Sequence, residues 1–253
     1  MKHNFMIKKM LNQKLFLGTL LFLFSGTVLA QESEISSGGF LNNLKYGLKF
    51  GTTISEFTNQ QPHTNSIQGI TGGGFLNYVF NEKMALQLEV SYFQQGGRLL
   101  DIYIPSLVGN DSWYSINIKN KEIIMHNIEL PVLFKYSLGI SGFKLNGFIG
   151  PSFGYNLHTG VTKEGTIIDE YGGPHTYTGE ENITNNMEKI QYSATAGIGI
   201  ELPISEKFYI LIDARYRYGI NSIYNGYSYL EVTEIQGDLK NNTMYFTLGF
   251  GLK

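Results

Sequence analysis

Four histidines lie beyond the first thirty residues: His63, His126, His158 and His175. Imidazole is the side chain best matched to proton transfer near neutral pH. Ser152 and Asp169 are near His126 and His158 by sequence, the residue types of a nucleophile, base and orienting acid. No spacing among them is diagnostic, so no catalytic residue is assigned. The stretch 157–189 sets Glu164, Asp169, Glu170, Glu180 and Glu181 against Lys163, and carboxylate oxygens suit hard divalent cations. These acids have no ordered ligand spacing, so neither a metal nor a cofactor is expected. The chain has no Cys, which excludes thiolate metal sites and disulfides. Tyr224, Tyr227 and Tyr229 offer amphipathic rings of the kind that contact proteins or glycans.

A second set of polar residues sits inside apolar stretches. Lys49, Glu89, Glu129, Lys135, Glu201, Asp213, Arg215 and Arg217 each occupy a segment that alternates apolar with polar. Alternation at period two sends successive side chains to opposite faces of a strand. All eight charges then share the polar faces, four acids with four bases. The expectation is a structural network of salt bridges, since unpaired buried charge is costly. The other use of the same residues is a polar conduit or proton path.

The elements that position them read as eight strands. The cleanest is the last, Met244–Lys253, where Met244, Phe246, Leu248, Phe250 and Leu252 alternate with Tyr245, Thr247, Gly249, Gly251 and Lys253. The others are Lys45–Ser55, Gln68–Phe80, Met84–Gln95, Glu122–Tyr136, Phe143–Asn156, Ile190–Leu202 and Phe208–Gly219. Pro131 in the fourth removes a ladder donor, and a bulge or distortion is expected there. Connections after the second, fourth and sixth strands are a few residues long. The others are long and polar: Glu56–Ile67, Gly96–Lys121, Leu157–Lys189 and Ile220–Asn242. Sorting loop length by parity is the habit of outer-membrane barrels.

The polar faces are rich in Gly, Ser, Thr and Asn rather than in charge, which suits a narrow packed lumen. Aromatics gather near strand ends of the apolar face: Tyr78, Phe80, Tyr92, Tyr136, Phe208, Tyr216 and Tyr218. Gly at 30 residues, with Tyr and Phe at 17 each, fits the same picture. No stretch after Ala30 is apolar for long enough to form a spanning helix, and open sheets leave backbone groups unsatisfied in lipid. The reading is an all-β, eight-stranded, antiparallel up-and-down transmembrane β-barrel in the cell outer membrane. Ahead of it, Lys8, Lys9 and Lys14 precede an apolar run from Leu15 to Phe24 and a small-residue site ending at Ala30. The expected organisation is a signal peptide over 1–30, a short periplasmic segment over 31–43 and the barrel over 44–253. A net charge of −2 argues against nucleic acid.

Four stretches carry a family resemblance. They are Tyr46-Gly47-Leu48-Lys49-Phe50-Gly51, Ala85–Gly96 with its Gln87-x-Glu89, Ile128–Tyr136 with Glu129-x-Pro131-x-x-x-Lys135, and Asp213-Ala214-Arg215-Tyr216-Arg217-Tyr218-Gly219. In this order the chain resembles the PorT-like outer-membrane β-barrel family of Bacteroidetes. That resemblance implies an eight-stranded barrel in the outer membrane. The family's name comes from a member tied to protein secretion and gingipain maturation, and no single activity is implied.

The function expected is therefore not enzymatic. It is a structural or binding outer-membrane protein with a filled polar lumen and long external loops, assisting secretion or envelope maintenance. Expected partners are outer-membrane lipid, the barrel-assembly machinery, and a protein or glycan at the external loops. A monomer is expected. One alternative is an outer-membrane lipid-modifying enzyme using His126 or His158 at the rim. The other is a soluble, lipocalin-like periplasmic carrier, which would turn its apolar face inward.

Overall fold

The computed structural model describes residues 43–58, 64–109, 112–168, 173–224 and 239–253. Its strands are β1 (Leu44–Thr58), β2 (Thr64–Asn65), β3 (Ile67–Val79), β4 (Met84–Gly109), β5 (Ser112–Ile140), β6 (Phe143–Ile168), β7 (Pro174–Asn182), β8 (Ile190–Pro203), β9 (Phe208–Gly219) and β10 (Lys240–Leu252). All but β2 and β7 form one closed antiparallel wall of eight strands in chain order. β10 closes it on β1, with Tyr46 opposite Leu252 and Thr58 opposite Lys240. Closure leaves no open edge in the wall, the condition for a sheet in lipid.

Three tight turns lie at one end, each with a local cause. Asn81 accepts from the backbone N–H groups of Lys83 and Met84 through its side-chain oxygen, both at 2.9 Å, and so joins β3 to β4. Gly142, with φ of 87°, takes the left-handed conformation in the β5–β6 turn. Ser205 accepts from the N–H of Phe208 at 3.2 Å between β8 and β9. Short turns are those that outer-membrane barrels keep on the periplasmic side, and this end is called periplasmic on that ground.

The other end departs from expectation. Gly96–Lys121 is largely strand rather than loop, because β4 and β5 continue to Gly109 and from Ser112. The stretch 157–189 is likewise mostly sheet: β6 runs to Ile168 and β7 pairs back onto it. Alternation weakens in both stretches, so periodicity alone reads them as loop. The bulge expected at Pro131 is absent. Pairings beside it drop out, yet the register is the same on either side. The β5–β6 register shifts instead at His126/Asn127, where Leu157 is the extra residue on β6. The expected signal peptide (1–30) lies outside the described residues, as does the 31–43 segment apart from Asn43.

The wall is inverted relative to a soluble protein. Phe50, Ile149 and Ile198 point outward and are each 63% exposed, and apolar residues cover the outer face of all eight wall strands. The inner face buries Lys, Arg, Glu, Gln, Asn, Ser and Thr. A soluble carrier requires the opposite arrangement. Two aromatic girdles bound the outward apolar band. Phe80, Tyr136, Phe208 and Phe250 lie at the periplasmic side, with Phe208 stacked on Phe250 at 5.4 Å. Tyr92, Tyr155, Tyr192 and Tyr218 lie at the other. Among the described residues no helix is long and apolar enough to cross a membrane.

Candidate functional site

The lumen is a column of paired charges. Nearest the periplasm, Lys135 Nζ is 2.8 Å and Lys45 Nζ 3.5 Å from Glu201. Above them Glu89 pairs with both Lys49 and Arg215, the latter at 2.7 Å. Arg215 also meets Asp213 at 2.6 Å and lies 4.1 Å from the centre of the Phe148 ring. Gln87 Nε2 donates to Glu89 at 2.5 Å. Higher again, Arg217 Nε donates to Glu129 at 2.7 Å, and Ser193 donates to the same carboxylate at 3.4 Å. All eight charged residues singled out in the sequence are buried on this inner face. They come together as three groups, Lys135–Glu201, Lys49–Glu89–Arg215–Asp213 and Arg217–Glu129. Each of these charges faces an opposite charge, which offsets the cost of its burial.

Small residues let this column fit. A Cβ on Gly199 would come within 2.1 Å of Asp213 Oδ1, so only glycine leaves space for that carboxylate. Apolar side chains flank the charges. At the periplasmic side Phe75, Tyr209 and Leu211 form a buried cluster. Above the charges, Gln95 donates to Gln191 at 2.6 Å, and Asn241 donates to the Gly96 carbonyl at 2.7 Å. Past this neutral layer the interior turns apolar, with Phe57, Leu99, Ile123, Met125, Val161 and Met187 among the residues of a buried cap. Tyr224 packs against it, whereas Tyr227 and Tyr229 lie outside the described residues.

Sequence reasoning missed the cap, although a signal was present. On β1, β5 and β6 the inward positions run Ser55 then Phe57, Asn127 then Met125, and Thr159 then Val161. Apolar residues there move from the outward to the inward parity, which marks the level where water replaces lipid outside.

The histidine candidates separate. His126 and His158 face each other across β5 and β6 on the outside of the wall, with ring centres 5.7 Å apart. Tyr92 hydroxyl lies 2.5 Å from His126 Nδ1, and Thr184 Oγ1 lies 3.4 Å from His158 Nδ1. Ser152 points the other way, fully buried in the lumen and 2.8 Å from Thr195 Oγ1. It cannot serve as nucleophile to either histidine. Asp169 and His63 lie outside the described residues, and His175 is exposed on β7. Of the acidic stretch, Glu164 lies on β6 and Glu180 and Glu181 on β7, with Glu181 3.0 Å from Lys163, while Glu170 is outside the described residues. Among the described residues no group of three or more His, Cys, Asp or Glu could hold a metal.

The family profile described as "Outer membrane protein beta-barrel domain" matches residues 29–225. No curated protein matches the sequence. Among solved structures, the chain is similar to the attachment invasion locus protein Ail of Yersinia pestis, at 12% identity and a TM-score of 0.38 over 82% of this chain and 97% of that one. It is also similar to OprG of Pseudomonas aeruginosa, at 15% identity and a TM-score of 0.41 over 82% of this chain and 94% of that one. The outer membrane protease OmpT of Escherichia coli matches at 8% identity and a TM-score of 0.34, over 86% of this chain and 99% of that one. The family match and the outward apolar band together put the wall in the cell outer membrane.

Proposed function

We propose a function from one premise: the chain belongs to the outer membrane protein beta-barrel domain family. The barrel is a non-catalytic anchor that holds an outer sheet above the membrane for binding, in support of secretion or envelope maintenance. The observation that carries this reading is the continuation of β4, β5 and β6 well past the outer aromatic girdle, with β7 added. From Gln95 to Gly109, β4 alone spans about 45 Å at the usual rise per residue. A filled lumen supports an anchor rather than a channel. The motif resemblance supports a PorT-like member, a family to which no single activity attaches. A leader cleaved after Ala30 belongs to the same proposal, and N-terminal sequencing of the membrane-borne protein tests it.

The test of function is removal of residues 101–118 at the β4–β5 tip. The shortened protein is expected to reach the outer membrane and keep its heat-modifiable mobility, but to lose the secretion or surface-binding phenotype of the intact gene. A deletion strain with an unchanged secreted-protein profile and surface would sink the proposal. The second reading, lipid modification, is favoured by one observation, the Tyr92–His126–His158 cluster at the outer girdle. It predicts altered lipid A that reverts with His126→Ala or His158→Ala. Unchanged lipid mass spectra remove it.

A further inference from the structure

Deep in the lumen charge is balanced: Lys49, Arg215 and Arg217 stand against Glu89, Asp213 and Glu129. The periplasmic mouth is not balanced. One carboxylate, Glu201, feels three ammonium groups, Lys135, Lys45 and Lys144. Lys135 and Lys45 reach it at 2.8 and 3.5 Å, and Lys144 stands opposite it in the β6–β8 ladder. Three cations against one anion leave a surplus of two positive charges around Glu201, and Asp213, the other carboxylate that acts on Tyr209, is already paired with Arg215. The adjoining turns do not offset it, because Glu82 is matched by Lys83 and Glu206 by Lys207. Neutral acceptors such as Asn77, opposite Lys45 in the ladder, leave the charge unchanged.

A second observation concerns donors. Tyr209 is fully buried, its hydroxyl has no hydrogen-bond partner, and Lys45 Nζ lies 5.5 Å from its ring centre. Asn146, two positions along β6 from Lys144, is 1% exposed and its Nδ2 also lacks a partner. A buried donor left unpaired is costly, so the mouth carries both unspent charge and unspent hydrogen-bond donors.

We propose that this mouth is an anion site for a phosphate group. Lys45 and Lys144 supply the charge, and Tyr209 and Asn146 supply directed donors. A phosphate matches the surplus with up to two negative charges and offers several acceptor oxygens to several donors. Free inorganic phosphate and the headgroup of a periplasmic-leaflet lipid share this chemistry.

The experiment uses the full-length barrel refolded in nonionic detergent, with folding checked by heat-modifiable mobility. In one arm, inorganic phosphate is titrated calorimetrically. In the other, native mass spectrometry reads lipid retained from nanodiscs of phosphatidylglycerol or phosphatidylcholine. Binding in the first arm that weakens about tenfold or more in the Lys45→Gln, Lys144→Gln double variant assigns a free anion. Preference for phosphatidylglycerol that disappears in that variant assigns a lipid headgroup. Tyr209→Phe removes only the hydroxyl and is expected to weaken either signal by a smaller factor, and it carries the test if the double variant does not fold. Identical behaviour of wild type and these variants in both arms overturns the proposal. Equal loss in a Lys83→Gln, Lys207→Gln control also overturns it, since binding would then follow general surface charge.

Discussion

Arg217 and Glu129 illustrate what a buried charge demands of its neighbours. Each is at most 2% exposed, and the pair is held at 2.7 Å. Arg217→Met leaves Glu129 buried without its charged partner, and about 3–5 kcal/mol of stability is expected to be lost. Glu129→Gln, Arg217→Met together is expected to cost less than the two single changes summed, by about 1–3 kcal/mol. Denaturant titrations of the four proteins in one detergent measure both. Additive losses would mean that the two side chains are held by other neighbours, such as Ser193 and Gln191. Which face these charges occupy was legible from period two alone. Which acid meets which base was not, because Lys135 and Glu201 are brought together by registers spanning β5, β6 and β8.

At the scale of a strand, the two faces of β10 respond to the same insult by different routes. Leu248 looks into lipid, where an arginine near the midplane costs about 2–4 kcal/mol. Alternation alone makes Thr247→Arg the milder change, since Thr247 is on the polar face. The structure removes that margin, because Thr247 is buried and sits opposite Asp213 and Gly51 in a filled interior. Both variants are therefore expected to assemble poorly, while Thr162→Arg on the outer wall, half-exposed and above the girdle, stays within about 0.5 kcal/mol of wild type. Yield of heat-modifiable protein in the outer membrane ranks the three. Strand existence was readable wherever one face met lipid, as in β8 and β9, whose observed bounds differ from the sequence reading by one residue at most. Where water lies on the outside and apolar residues turn inward, as from Met125 back to Ile123, the alternation changes sense and the sheet looks like loop.

Taken whole, the barrel has a lumen filled by side chains beneath an apolar cap, and its electrical behaviour follows. In a planar bilayer no steady open-pore current is expected from the wild type, since eight strands leave room for side chains only and an apolar cap lies above the charges. A constant conductance of porin size would contradict the packed lumen. The pairing of β1 with β10 has a further result, which concerns time rather than shape. The first strand made must wait for the last, with Tyr46 and Leu252 separated by nearly the entire described chain. Contacts of that sequence separation are slow to form. Until they do, both end strands have bare hydrogen-bonding edges, which lipid cannot satisfy and which in water are open to pairing with other chains. No shorter version of the ribbon is a smaller barrel, so the nascent protein cannot be banked in stages. It must be kept from aggregating until its final residues arrive, and its commitment to the membrane is a single late event.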